Sequence, residues 1–136
     1  MVACIMGELA TVKLLVAEAR KRLSKDQFYL FVNIKVAKNM GGNNALLYAC
    51  NSKESNGSLV DYLIGQAGAN PDVRNDYDVS CIMLATKRAS LNILQLLLLR
   101  GIDISFADKN GCNALHIAAV SGHYHIVYML LVQSRK

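Results

Sequence analysis

The chain is short of almost everything that keeps a polypeptide open. Its 136 residues include one proline and no tryptophan, 18% are charged, and 53% are apolar. Those shortages exclude a proline-rich spacer, a low-complexity tail and a charge-extended disordered segment. A chain of this length buries about 68% of its unfolded surface on folding, enough for an independent core.

Chemistry-bearing motifs are missing as well. Cys4, Cys50, Cys81 and Cys112 form no C-x-x-C pair, so free thiols in a reducing, intracellular compartment are expected, cytoplasmic or nuclear. The opening run MVACIMGELATVKLLVA lacks a basic start and is interrupted by Glu8 and Lys13, unlike a secretory leader. LNILQLLLLRGI is too short, at about a dozen residues, for a bilayer core of about 30 Å, so no membrane insertion is expected. No phosphate-binding G-x-x-x-x-G-K-[ST], H-E-x-x-H, G-x-S-x-G or dinucleotide fingerprint occurs, and the expectation is a non-enzyme without cofactor.

What the chain does contain is itself, several times over. At an offset of 33 residues, RNDYDVSCIMLATKRASLNILQLLL aligns without a gap to ADKNGCNALHIAAVSGHYHIVYMLL. Ile82 then corresponds to Leu115, Ala85 to Ala118, Ile93 to Ile126 and Leu97 to Leu130. Upstream, GNNALLYAC matches GCNALHIAA, and after a small insertion around SKESNG the pattern resumes as LVDYLI. ACIMGELATVKLLV matches AAVSGHYHIVYMLL, which pairs Gly7 with Gly122 and Val12 with Val127. Periodicity of this kind is the signature of stacked repeats.

Each unit follows one plan. An N-cap candidate (Asn44, Ser80, Asn113) opens a short helix of small residues, and a second helix carries the bulky aliphatics. Gly68 and Gly101 stand where left-handed helix ends are needed. A single helix pair cannot bury its apolar face, so neighbours must stack.

This pattern resembles the ankyrin repeat. In the last unit Asp108, Gly111, Leu115, His116, Ala118, Ala119, Gly122, His123, Ile126, Val127, Leu130 and Leu131 match its signature, and GAN at Gly68 to Asn70 matches its tail. The signature's T-P is replaced by Asn113-Ala114, Asn44-Ala45 and Ser80-Cys81, which keeps a capping residue and loses the proline that presets the first helical turn. The resemblance implies an all-α solenoid of helix-turn-helix units joined by hairpins, about three full repeats after a partial one. The expected single domain, 1–136, divides roughly into units 1–31 (partial, with an insertion), 32–72, 73–105 and 106–136.

The resemblance also assigns His116 and His123 to structural hydrogen bonding and leaves His125 at a variable position. A zinc site would need a fourth ligand and convergent geometry, and Cys112 sits at a turn tip; no metal is expected. Cys4 and Cys50 fall on the small-residue position of Ala119, where a thiol acts as a small hydrophobe.

Function, so far as the resemblance implies it, is non-catalytic capture of a partner protein by the concave face of hairpin tips and first helices. Carried over unit by unit, the candidate partner-binding residues are Met40, Asn43, Asp76, Tyr77, Val79, Lys87, Arg88, Lys109, Asn110 and Ser121. Tyr77 and Arg88 lead, because tyrosine and arginine are enriched at interface hot spots. A preorganised groove of this kind reduces the ordering cost of binding. The alternative is a nucleic-acid or anionic-ligand module using the basic segment from Arg20 to Lys38, with Lys21, Arg22, Lys25 and Lys35. That segment supplies charge without a base-stacking code, which disfavours nucleic acid.

About a dozen residues between Val16 and Val32 exceed the repeat. VKLLVAEARKRL is expected to prolong a second helix, and FYLFVNIKV alternates as a strand would. The chain opens inside a first helix and stops after a second, so a monomeric piece of a longer, multidomain protein is expected, with Leu130, Leu131 and Val132 facing an absent neighbour.

Overall fold

A computed structural model describes residues 1–6, 8–53 and 57–135, with the side chain of Ile5 excepted. Gly7, which the alignment pairs with Gly122, and Glu54 to Asn56 of the small insertion lie outside the described residues. Along the chain run α1 (Val2–Ile5), α2 (Leu9–Arg22), α3 (Lys25–Asn33), a 3-10 turn (Lys38–Met40), α4 (Ala45–Asn51), α5 (Gly57–Gly65), α6 (Cys81–Lys87), α7 (Leu91–Leu99), α8 (Ala114–Val120) and α9 (Tyr124–Ser134). Among the described residues there is no strand, only an isolated bridge between Arg74 and Ser80.

The helices stack in two rows. α1, α4, α6 and α8 pack in succession as an inner row, while α5 packs on α7 in the outer row, and each inner helix packs on the outer helix that follows it. The 33-residue correspondence fixes which side chains fill the space between. Ala85 and Ala118 are fully buried where inner helices approach closely, and Ile93, Ile126, Leu97 and Leu130 occupy equivalent buried positions on the outer helices. Leu130 is therefore not left facing solvent as expected; only Leu131 and Val132 are exposed. It points into its own helix pair, because α8 packs on α9.

Helix ends follow from local chemistry. Asn44 Oδ1 accepts from the Leu47 amide at 2.9 Å, and Asn113 Oδ1 from the His116 amide at 3.0 Å. Ser80 occupies the matching position without making a capping bond, and its hydroxyl is buried without a partner. At that start the Leu84 amide donates to the Ser80 carbonyl. At the far end of α7, Gly101 adopts φ 72°, its amide bonds to Leu98 O and the Ile102 amide to Leu97 O, the paired closure of a Schellman turn. Gly68 is left-handed too, with φ 78°.

The insertion overturns one expectation. FYLFVNIKV is not a strand; Phe28 to Asn33 belong to α3. Ser24 caps this helix in a reciprocal box, its Oγ accepting from the Gln27 amide at 3.3 Å while its own amide donates to Gln27 Oε1 at 3.1 Å. That box and the four-residue spacing of Phe28 and Val32, both packed on the core, outweigh the alternation. α2 is prolonged to 14 residues, against 9 in α5 and α7, as the sequence suggested.

α3 is clamped to the next unit. Asn33 Nδ2 donates to Gly68 O at 3.4 Å, and the Asn70 amide donates to Asn33 Oδ1 at 2.8 Å. Arg20 donates to Gln66 O and lies 5.0 Å from the Phe28 ring centre.

Candidate protein-binding surface

Three hairpin tips project beyond the inner helices, and their backbones join into a row. The Asp76 amide donates to Gly41 O at 3.1 Å, and the Lys109 amide donates to Tyr77 O at 3.1 Å. Asn75 Nδ2 adds a side-chain bond to Asn43 Oδ1 at 3.0 Å. Within the second and third tips an Asx residue ties its own loop: Asn75 Oδ1 accepts from the Tyr77 and Val79 amides, and Asp108 Oδ1 from those of Asn110 and Cys112. This is the local geometry that Asn and Asp favour in turns. The tips are held by these main-chain bonds and by the side chains of Asn43, Asn75 and Asp108, which leaves those of Met40, Tyr77, Lys109 and Asn110 exposed for contact.

The candidate residues divide accordingly. Met40 and Tyr77 are exposed, as are Lys109 and Asn110, whereas Asn43 and Asp76 are half-buried between tips. Val79, Lys87 and Ser121 meet in a groove of about 450 Å³ between α6 and α8. Arg88 stands apart, its Nε donating to Asn51 Oδ1 of the preceding unit at 3.0 Å. That bond makes it a bridge between units as well as a surface residue.

The groove also contains side chains absent from the candidate set: Met83 on its floor, Ile117 and His116 on one wall, and Val120, which is 91% exposed. Met83 and His116 are 33 residues apart, and so are Lys87 and Val120; the register places Val120 beside Ser121 on the helix side of the face, and the same register pairs Met83 with His116. His116 was assigned a structural bond, and it does make one, its Nδ1 lying 2.8 Å from Asn113 Oδ1. The same ring still borders the groove. Among the described residues no group of three His, Cys, Asp or Glu side chains converges in a way that could hold a metal ion.

The thiols are all free. Cys50 on α4 and Cys81 on α6 are both fully buried. A hydrogen bond to the Cys81 thiol, together with burial and the charge Cys81 would carry, holds Cys50 well above the usual thiol range. Burial also raises Cys4. These are thiols kept neutral, the opposite of an activated nucleophile.

The basic segment is partly used up. Lys21 and Arg22 both pair with Glu18, at 3.0 and 3.5 Å, and Arg20 is committed to Gln66 and Phe28. One carboxylate, Glu18, thus serves two of the three adjacent cations, which leaves the run positively charged.

A family model for ankyrin repeats (three copies) matches residues 46–136. The chain belongs to the ankyrin repeat family. The match begins within α4, so the prolonged α2 and the extra α3 lie outside it. Similar segments occur in the Notch-regulated ankyrin repeat-containing protein of Homo sapiens, 41% identical over 46 residues, 34% of this chain and 40% of that protein. The counterpart A of Danio rerio is also 41% identical over 46 residues, covering 34% of this chain and 41% of its own. An L-asparaginase of Dirofilaria immitis is 43% identical over 49 residues, which is 36% of this chain and 8% of the enzyme. The chain therefore matches less than half the length of each of these relatives. Ankyrin repeats are generally protein-protein interaction modules and typically non-catalytic. Among the described residues no helix is long and apolar enough to cross a membrane.

Proposed function

We propose that this chain is a non-catalytic protein-capture module whose concave face, made of the hairpin tips and inner helices, engages one partner protein. One observation carries the reading. The tips at Gly41, Asp76 to Tyr77 and Lys109 are locked into a row by main-chain hydrogen bonds, while Met40, Tyr77, Lys87, Lys109, Asn110, Val120 and Ser121 remain exposed along it. A rigid frame bearing free side chains binds with little ordering cost, which favours recognition over chemistry. Burial of Cys4, Cys50 and Cys81 and commitment of Asp108 Oδ1 to its own loop argue in the same direction, since none of these is placed to act as nucleophile or base.

Within this reading Tyr77 and Val120 are contact residues, Arg88 both contacts the partner and ties two units together, and Asn43 and Asp76 position the tips. The division into a partial first unit with its insertion, followed by units 32–72, 73–105 and 106–136, is part of the same proposal and is supported by the spacing of the inner-helix starts at Asn44, Ser80 and Asn113.

A photo-crosslinking side chain placed in turn at Tyr77, at Val120 and at the outer-row Leu99, which is 89% exposed, tests the face. Expressed in cells, the first two variants should yield the same protein adduct, and the Leu99 variant should not. Adducts from Leu99 alone would refute the assignment.

A further inference from the structure

A separate hollow lies in the first part of the chain, where α1, α2 and α3 enclose a cavity of about 220 Å³ against Ala45 of α4 and Leu63 of α5. Protein interiors leave few voids larger than a water molecule. The extra helix α3 accounts for this one. Phe28 and Val32 anchor α3 on the core, while Phe31 and Ile34 stand exposed at the opening and leave the space behind them unfilled.

The cavity is apolar from floor to mouth. Cys4, Val12, Val16, Val32 and Leu63 form its floor and are buried; Leu15, Phe31 and Ile34 form its mouth and are exposed. No lining side chain bears a charge, a hydroxyl or an amide, and burial keeps the Cys4 thiol neutral. A buried water needs two to four polar partners, which these side chains do not offer. An apolar cavity of about 150 Å³ binds benzene, so by proportion this one holds about nine carbon atoms. Because the mouth is open to water, a molecule with one polar end fits better than a wholly apolar one, since that end keeps its hydration.

The sign of that end follows from where the charge lies. Residues 9 to 38 hold seven of the chain's fifteen Lys and Arg and two of its ten Asp and Glu, so the net charge of +5 is lodged in the segment that walls the cavity. The rest of the chain is balanced, eight cations against eight carboxylates. Glu18 is engaged by Lys21 and Arg22, Glu8 accepts from the Thr11 hydroxyl, and Asp26 lies in the first turn of α3, at the end away from Ile34. Lys35, directly after Ile34, is exposed and has no ion pair among the described residues.

We infer that this cavity binds a medium-chain fatty acid, with about nine carbons of its tail seated on the floor between Cys4 and Leu63 and its carboxylate outside the mouth beside Lys35. The site is separate from the concave face and does not rest on the protein-capture reading. An excess of cations around the mouth raises the local concentration of anions and disfavours an amphiphile with a cationic head.

Calorimetric titration of the full chain with monomeric hexanoate, octanoate, decanoate and dodecanoate tests this. Affinity should rise by up to about fourfold per methylene until about nine carbons are seated, then level off between decanoate and dodecanoate. Cys4→Leu, which fills the floor, should weaken decanoate binding about tenfold while the thermal midpoint stays level or rises, as cavity filling does. Leu15→Asp, at the exposed mouth, should weaken it about tenfold with an unchanged circular dichroism spectrum. Decylammonium should bind about tenfold more weakly than decanoate at low salt, and Lys35→Glu should narrow that gap. Affinity that climbs by the same step through dodecanoate, or that survives both Cys4→Leu and Leu15→Asp, would mark adsorption to exposed apolar surface and overturn the cavity. Equal binding of decylammonium and decanoate would overturn the fatty acid. Co-sedimentation with phosphatidylserine vesicles without binding of any monomeric acid would assign the apolar surface to a membrane and likewise overturn the proposal.

Discussion

Ala89 is the residue at which the repeat departs furthest from its own logic. It has φ 55°, and its amide and that of Ser90 bond to Thr86 and Ala85 carbonyls in the same closure that Gly122 makes with φ 71° one unit later. An L-residue with a Cβ in this region carries a cost of about 1 kcal/mol that glycine does not. Ala89→Gly should therefore stabilise the chain by about 1 kcal/mol, less a few tenths for the greater freedom of glycine when unfolded. Urea unfolding should show a higher midpoint at an unchanged slope. The converse change, Gly122→Ala, should lower the midpoint by a similar amount, since no neighbouring atom crowds that site and the backbone alone decides. The 33-residue register exposes this mismatch in the sequence, because alanine stands there in one unit and glycine in the next.

At the level of elements, α3 shows both the reach and the limit of reading a sequence. The length of the excess between Val16 and Val32 is plain from the repeat, and so is the extension of α2. The form of the excess is not, because Phe28, Tyr29, Phe31, Val32 and Ile34 are residues that strands favour, and their alternation mimics one. The decisive signal was Ser24 with Gln27 three positions on, a start mark that competes with the alternation and wins once Asn33 can reach Gly68 and Asn70. Ser24→Ala should remove about 1 kcal/mol from the helix start. Hydrogen exchange should report it locally, with faster exchange of the Phe28 amide, which bonds to Ser24 O, and unaltered protection of the Leu94 amide in α7.

The same lesson holds for the binding face. Exposed tips and the ends of the inner helices could be placed by register, since the last two units repeat at 33 residues and the unit before them at 36, with its insertion. Which of them would share one groove could not, because Val79 and Ser121 belong to different units and meet only when α6 packs on α8. Likewise nothing in the spacing of Arg88 and Asn51 announces that they bond across a unit boundary.

For the molecule as a whole, the thiols buried between units couple stability to alkaline pH. Cys50 stays protonated in the fold well above the usual thiol range, whereas in the unfolded chain it ionises from about pH 8.5. Its contribution is fully present below that pH and is lost as pH rises toward the folded value, with a limiting slope of about 1.4 kcal/mol per pH unit for one thiol. Unfolding midpoints measured under reducing conditions between pH 7 and 10 should fall at the alkaline end. Cys50→Ala should flatten that decline even if it lowers the midpoint at pH 7.

The amide of Asp76 bound to Gly41, and that of Lys109 bound to Tyr77, give the hairpins a skeleton that does not consult the side chains displayed on it. Residues such as Tyr77 and Asn110 can therefore be exchanged without moving their neighbours, and mutation can redirect what the surface recognises while folding proceeds as before.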